Sequence, residues 1–406
     1  MKPIKLKNSV MHYPWGTADF IPDLLGIDNY EGEPYAELWM GTHPRGESVA
    51  LEDGRPVSDI IKSDPQNILG KKTINRFGDS LPFLFKVLSA GSPLSIQAHP
   101  NKKQAEEGFE RENMASIPLD AYNRNYRDNN HKPEIICALT PFTAMCGFRT
   151  SQEINTLFEG TGSKKYKRYL YPALNPAEEK EEPAVLKNFF STYMSFEKEM
   201  KSELIEEVLS WATGESSREA ELVRKFAELY PGDSGVLSPL FLNVFSLNKG
   251  EALFQGPGEL HAYVDGTGIE LMANSDNVLR GGMTPKNVDL DELLKVLNFG
   301  AGKPTLITGK EIKECLFSYE TGAQEFLLER AVLGAGCDAI EVKLDSAQIV
   351  LCVQGSGKLE YSGGSIDIFK GDSIFIPFAL RRYTLTGTAE CYISSVPVTS
   401  ELDGDE

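Results

Sequence analysis

The sequence predicts a mainly β protein interrupted by a helical insert. Three changes of texture carry that expectation. Residues 1–100 hold short apolar runs punctuated by Gly and Pro, the pattern of antiparallel strands joined by turns. From about Ser151 to Tyr230 apolar residues recur at spacings of three and four, the helical period. The last ninety residues alternate apolar and polar at period two, with Gly and Asp turns at the spacing of a β-barrel.

The elements follow in order. GDSLPFLFKVLSAGSPLSIQAHP joins an apolar run to a second, shorter one. NKKQAEEGFERENMA, from Asn101, suits a helix start and leads into a loop rich in Asn and Arg. HKPEIICAL and PFTAMCGF resume the strand pattern. SQEINTLFEG, EEPAVLKNFFSTYMSFEKEM, SELIEEVLSWA and REAELVRKFAELY form the helical insert. Strands are expected again at Leu237–Phe245, Glu251–Phe254 and Gly268–Met272, and DLDELLKVLNF reads as a helix capped by Asp289. The tail ELDGDE is expected to be disordered.

Composition removes several function classes. The chain has 406 residues, 59 acidic against 41 basic, for a net charge of −18. A nucleic-acid binder would need a basic face, so nucleic acid is not an expected partner. No run approaches the roughly 18 apolar residues of a membrane span, and MKPIKLKNSV has no apolar signal core. The six cysteines (Cys137, Cys146, Cys315, Cys337, Cys352, Cys391) are scattered without a CxxC pair and read as buried thiols in a reducing compartment. The expectation is an acidic cytoplasmic protein of two or three domains.

With only five histidines, each can be traced. Gln97 and His99 lie two apart on an apparent strand and therefore share a face. With Gly91 they read G-x5-Q-x-H, close to the G-x5-H-x-H of small metal-binding cupin barrels, with Gln in place of the first His. Glu134 in HKPE and His261 in GPGELHAY are candidates for the carboxylate and the distant His of that pattern; Pro257 is one place off it. Gln97, His99, Glu134 and His261 together offer two imidazole nitrogens and two oxygens, a set suited to a divalent metal. Read alone, a histidine in a β protein is more often a hydrogen-bonded structural residue than a ligand; only the combination with Gln97 and Glu134 brings the two readings level. His12 and His43 are assigned structural or supporting roles, and His131 a supporting or turn role. The segment IELMANSDNVLRGGMTPK adds Glu270, Asp276, Arg280 and Lys286, whose charges and amides suit an anionic, polyhydroxylated ligand. After Gly371 the C-terminal strands carry PFALRRY, with Arg and Tyr where a metal-binding barrel would keep His, so a second cupin-like barrel without metal is expected.

At these residues the sequence resembles the type I mannose-6-phosphate isomerases, also called phosphomannose isomerases. The resemblance runs in order through YPWG (13–16), AELWMGTHP (36–44), LPFLFKVLS (81–89), LSIQAHP (94–100), HKPE (131–134), LHAY (260–263) and ANSDNVLRGGMTPK (273–286). It implies an enzyme with one Zn2+ per chain, held by Gln97, His99, Glu134 and His261. It also implies Arg280 as an active-site residue, and Trp15, Lys86, Ser95 and Lys286 as residues lining a sugar-phosphate site. Gly256-Pro257-Gly258 departs from the family before LHAY. The expected fold is two cupin-like jelly-roll β-barrels plus an α-helical domain. Residues 1–150 and 236–310 would form the metal-binding barrel, 151–235 the helical insert, and 311–400 the barrel without metal. The expected partner is a small sugar phosphate, with neither nucleic acid nor membrane, in a monomer.

The implied reaction moves a carbonyl between C1 and C2 through an enediol. It needs one base on one face of the substrate and a cation for the developing oxyanion. Glu270 and Lys132 are both candidates for the proton transfer, and the sequence does not choose between them; Arg280 or Lys132 could supply the charge. An Fe(II) oxygenase and a non-catalytic sugar-phosphate sensor are the competing readings. Gln97 among the ligands argues against the first, and the presence of the whole residue set against the second.

Overall fold

The computed structural model describes residues 1–334 and 336–397. The ELDGDE tail lies outside the described residues. The chain builds two antiparallel sheets, one of eleven strands and one of ten, with helices inserted between strands of the first.

The centre of the first sheet is the long strand His261–Ala273. Its first residues pair with Ile96–Ala98 and with Phe142–Phe148, while its second half pairs with Phe83–Ala90 and Glu134–Ala138. The ladder slips between Tyr263 and Asp265, and Gly266 (φ +108°) turns the corner. A Cβ there would sit 2.5 Å from the Pro141 carbonyl oxygen, so the bend requires glycine.

The second sheet is built on the pair Gln348–Tyr361 and Arg382–Ser395. The N-terminal strand Ile4–Lys7 belongs here, paired with Ser373–Ile376 through Ile4 opposite Phe375. The chain thus begins in the C-terminal sheet, although its first hundred residues read as part of the metal-binding barrel. The two sheets share one core, in which Phe85, Ile135 and Leu271 meet Leu328, Ile349 and Phe375.

The insert comprises helices including Ser151–Gly160, Glu182–Met194, Lys198–Gly214 and Arg218–Leu229. Thr150 caps the first through a reciprocal pair with Glu153. Its apolar faces close over an aromatic cluster in which Phe148 lies 5.4 Å from Phe190 and 5.3 Å from Phe299. Asp289 caps Leu290–Val296 through the Glu292 N–H, as its sequence predicts.

Two readings are corrected. Residues 1–100 are not all strands and turns: Phe20–Leu25, Val57–Ser63, Pro65–Leu69 and Lys71–Phe77 are helical. Val57, Ile60 and Ile61 already have helical spacing, and Asp64-Pro65 supplies a cap and a proline at the first helical position. The expected strand at 237–245 begins only at Leu242; before it, Ser234–Leu240 is a 3-10 helix containing Pro239, which has no N–H for a ladder. Replacing Phe148 with Ala should cost about 3–5 kcal/mol, as for other buried aromatics. A denaturant titration followed by circular dichroism should show the lowered midpoint; an unchanged midpoint would remove Phe148 from the core.

Candidate metal centre

Strand alternation positions the ligand candidates. Ile96 and Ala98 turn into the core beneath the helical insert, as do Leu260, Ala262 and Leu279. Gln97, between the first two, turns the other way and lines a cavity. His99 follows on Gln97's face, and the His261 Cα is paired with that of Gln97. Glu134 starts its strand opposite Gln255 and Met272.

The histidine rings are oriented by backbone carbonyls. His99 Nδ1 lies 2.7 Å from the Asn277 oxygen, and His261 Nδ1 lies 2.8 Å from the Glu259 oxygen. A carbonyl only accepts, so the network assigns the hydrogen to Nδ1 in both rings and leaves a lone pair on each Nε2. Both Nε2 atoms stand 3.4 Å from Glu134 Oε2. All three atoms are buried and have no hydrogen-bond donor. Burial pushes the His99 pKa down to about 4, keeping the ring neutral at ordinary pH. Burial alone would raise the Glu134 carboxyl, but the Lys132 ammonium, 2.8 Å from Oε1, holds it well below the usual range.

Three acceptors facing one another without a donor repel unless a cation lies between them. Ligand atoms at about 2.0–2.1 Å from a tetrahedral ion are roughly 3.4 Å apart, the spacing found between each Nε2 and Glu134 Oε2. His99, Glu134 and His261, whose ligand atoms all fall within 4.8 Å of one another, therefore fit a single metal ion.

Two neighbours hold this triad in place, and neither was singled out in the sequence for that role. Asn277 is fully buried. Its Oδ1 accepts from the Arg127 and Asp128 N–H groups, its Nδ2 donates to the Asp128 and Asn130 carbonyls, and its own carbonyl takes the His99 ring hydrogen. Gly258 lies in the turn before His261. Its N–H donates to the His99 carbonyl at 2.8 Å, its φ is +80°, and a Cβ would sit 2.7 Å from the Val296 oxygen.

The cavity above the triad holds about 420 Å³. Its lining includes Trp15, Lys86, Ser95, Gln97, Lys132, Glu134, Glu270, Arg280 and Lys286, all singled out in the sequence, with His99 and His261 buried beneath. Lys86 is committed within the wall: Nζ is 2.8 Å from Glu270 and 3.6 Å from Glu37. Burial opposes its charge, but the two carboxylates hold its pKa well above the usual range. Burial raises the Glu270 carboxyl against the pull of Lys86.

Arg127, Arg280 and Lys286 line the same cavity, and none has a carboxylate partner among the described residues. Burial, then Arg280 and Arg127, lower the Lys286 pKa, as expected for cations crowded together without an anion. Arg127 carries no motif signal beyond its Asn- and Arg-rich loop. His43 also lines the cavity, edge-on to Trp39 and 3.5 Å from Asp276. His12 bonds the Pro34 carbonyl, and His131 pairs with Glu325 at 2.7 Å, tying the loop before Glu134 to the C-terminal region.

Three family models match the chain: the phosphomannose isomerase type I catalytic domain over residues 4–151, its helical insertion domain over 162–242, and the mannose-6-phosphate isomerase cupin domain over 336–396. The mannose-6-phosphate isomerase of Escherichia coli is 39% identical over 387 residues, covering 94% of this chain and 97% of that one. The chain belongs to the type I phosphomannose isomerases.

The human member is 37% identical, over 86% of this chain and 87% of its own. A crystal structure of a zinc-bound mannose 6-phosphate isomerase superimposes with a TM-score of 0.89 at 36% identity, over 98% of this chain and 100% of that one. The metal-free phosphomannose isomerase of Salmonella typhimurium gives 0.90 with the same identity and coverage. The catalytic-domain match takes in the early strands of the first sheet together with Ile4–Lys7 of the second, the insertion-domain match falls on the helices, and the cupin match on the second sheet.

Zn2+ added to metal-free protein should raise the thermal midpoint, and chelator should reverse the shift; saturation a thousandfold over the dissociation constant corresponds to about 4 kcal/mol. No shift would mean that the triad holds no metal. Asn277→Ala and Gly258→Ala should each weaken Zn2+ binding about 10–100-fold, in line with other supports of metal ligands, measured by competition with a chromophoric chelator. Wild-type affinity in both would reduce these residues to fold supports.

Proposed function

We propose that this chain interconverts mannose 6-phosphate and fructose 6-phosphate, with one Zn2+ held by Gln97, His99, Glu134 and His261. The observation that carries the reading is one cavity with donor-free ligand atoms at its base and uncompensated Arg127, Arg280 and Lys286 in its wall. A sugar phosphate matches both ends: its carbonyl edge suits the metal, and its phosphate suits the cations. Zinc, when bound, supplies a Lewis acid that polarises the C1/C2 oxygen edge.

The remaining chemistry belongs to the protein. Glu270 removes the proton beside the carbonyl and returns it to the neighbouring carbon on the same face, through an enediol. A carboxylate accepts a proton at neutral pH, and burial raises its basicity, while Lys86 fixes its position. Lys132 is held on Glu134 and acts as charge, not base, facing the developing oxyanion with Arg280. Trp15 and Ser95 line the walls beside the sugar, and Arg127 and Lys286 take the phosphate.

The same reading divides the chain into a catalytic jelly-roll barrel (1–150 and 236–310), a helical insert (151–235) and a second jelly-roll barrel without metal (311–400), in a cytoplasmic monomer. The strand His261–Ala273, shared between two sets of partners, supports the first barrel.

Glu270→Gln should lower kcat by about 10²–10⁴, the usual contribution of a general base, with zinc content and KM near wild type. Wild-type turnover would transfer the base role to Lys132. Arg127→Ala and Lys286→Ala should raise KM for mannose 6-phosphate with little loss of kcat. Loss of all conversion on chelation, and recovery with Zn2+, tests the whole reading; an isomerase indifferent to chelator would overturn it.

A further inference from the structure

The sequence treats the cysteines as scattered, but the C-terminal sheet sets two of them face to face. In the antiparallel ladder of Gln348–Tyr361 with Arg382–Ser395, Cys352 stands directly opposite Cys391. The Cys352 N–H donates to the Asp372 carbonyl at 3.0 Å, and its own carbonyl accepts from the Gly371 N–H at 2.8 Å. In an antiparallel strand these two groups point to the same side, so Cys352 spends both away from Cys391. Theirs is a non-hydrogen-bonded pair, for which Cα atoms lie about 4.5 Å apart and side chains come closest. That separation falls within the roughly 4.4–6.8 Å that a disulfide spans.

Opposed residues project from the same face, and both thiols lie in one buried cluster with Ile374 and Ile393. The register slips between Cys352 and Gln354, and Gly355 has φ +78°, so the ladder is interrupted beside the pair. The Cys352 thiol donates to the Gln354 carbonyl at 3.4 Å; the neighbouring Cys391 holds the Cys352 thiol below the usual range, while Cys352 and burial hold the Cys391 thiol well above it. This polarity makes Cys352 the more nucleophilic of the two.

We propose that Cys352 and Cys391 are an oxidation site that closes to a reversible cross-strand disulfide under a small peroxide. The Cys352 thiolate attacks a peroxide oxygen; the O–O bond breaks, and protonation of the leaving oxygen releases water and leaves a sulfenic acid. The Cys391 sulfur then attacks the Cys352 sulfur, the S–O bond breaks, and the departing hydroxide takes the Cys391 proton as a second water. The two thiols together lose two electrons and two protons to one peroxide, and a dithiol reductant restores them.

The test uses the folded holoenzyme. Hydrogen peroxide is added and quenched, the protein is unfolded in an alkylating reagent, and peptides are mapped by mass. The expected product is a peptide linked between Cys352 and Cys391, two hydrogens lighter than its reduced parts and lost on treatment with dithiothreitol. Without peroxide, both should resist a bulky maleimide in the folded protein, while the partly exposed Cys315 reacts. Cys391→Ala should abolish the linked peptide and carry Cys352 on to sulfinic acid. Recovery of Cys352 and Cys391 as alkylated thiols after peroxide, or linkage of Cys315 with Cys337 alone, would overturn the proposal.

Discussion

Three buried acceptor atoms that face one another without a donor are the constraint on which the rest of the site depends. His99 Nε2 and His261 Nε2 each stand 3.4 Å from Glu134 Oε2, and none of the three has a hydrogen-bond partner. An unsatisfied buried polar atom costs about 1–3 kcal/mol, and more where charge is involved, so this arrangement is costly in the metal-free fold. The surroundings are arranged to keep it. Carbonyls of Asn277 and Glu259 bind the Nδ1 hydrogens so that the rings cannot present N–H to Glu134, and Lys132 occupies the other carboxylate oxygen. The strain is offset by whatever cation binds, so folding and metal affinity are coupled.

Charge follows the same logic one layer out. A net charge of −18 spread evenly would repel a phosphorylated ligand, but it is unevenly spread. Residues 175–221, all within the insert, hold 12 acidic and 5 basic side chains, a net of −7, and the last six residues add −4. Around the cavity the signs are sorted by depth. Glu37 and Glu270 surround Lys86 in the buried wall, whereas among the described residues Arg127, Arg280 and Lys286 have no ion-pair partner. Local fields fall off within about 8–10 Å at physiological salt, so an acidic insert and a cationic cavity coexist in one molecule.

Much of this was legible in the sequence wherever side-chain period and chemistry coincide. Q-x-H on a strand forces both side chains to one face, and Gln97 with His99 obey it; Asp289 caps its helix as its position demands. What was not legible depends on groups without a type-specific signature. The Asn277 carbonyl is a backbone atom, and nothing in ANSDN distinguishes it from its neighbours. Arg127 reaches the cavity because its loop is folded back by the Asn277 amide. The helices at 57–77 have the period but are short and broken at Asp64 and Gly70, so Gly and Pro punctuation read as turns. The entry of Ile4–Lys7 into the distant C-terminal sheet is a pairing of residues some 370 apart, for which one sequence carries no local trace.

The helical insert bears on the site through the strands it covers. Ile96, Ala98, Leu260, Ala262 and Leu279 face its aromatic core, while Gln97, His99, His261 and Arg280 alternate with them toward the cavity. Interiors pack at the density of organic crystals and relax only partly around a void. A loss of volume on the insert side therefore moves backbone that carries ligands on the other. A displacement of a few tenths of an ångström matters there, since metal–ligand distances tolerate only about 0.2 Å. The insert is thus mechanically part of the metal centre although it contributes no ligand candidate to it. The link is the insert's Phe190, which packs against Phe148 and Phe241 of the flanking chain.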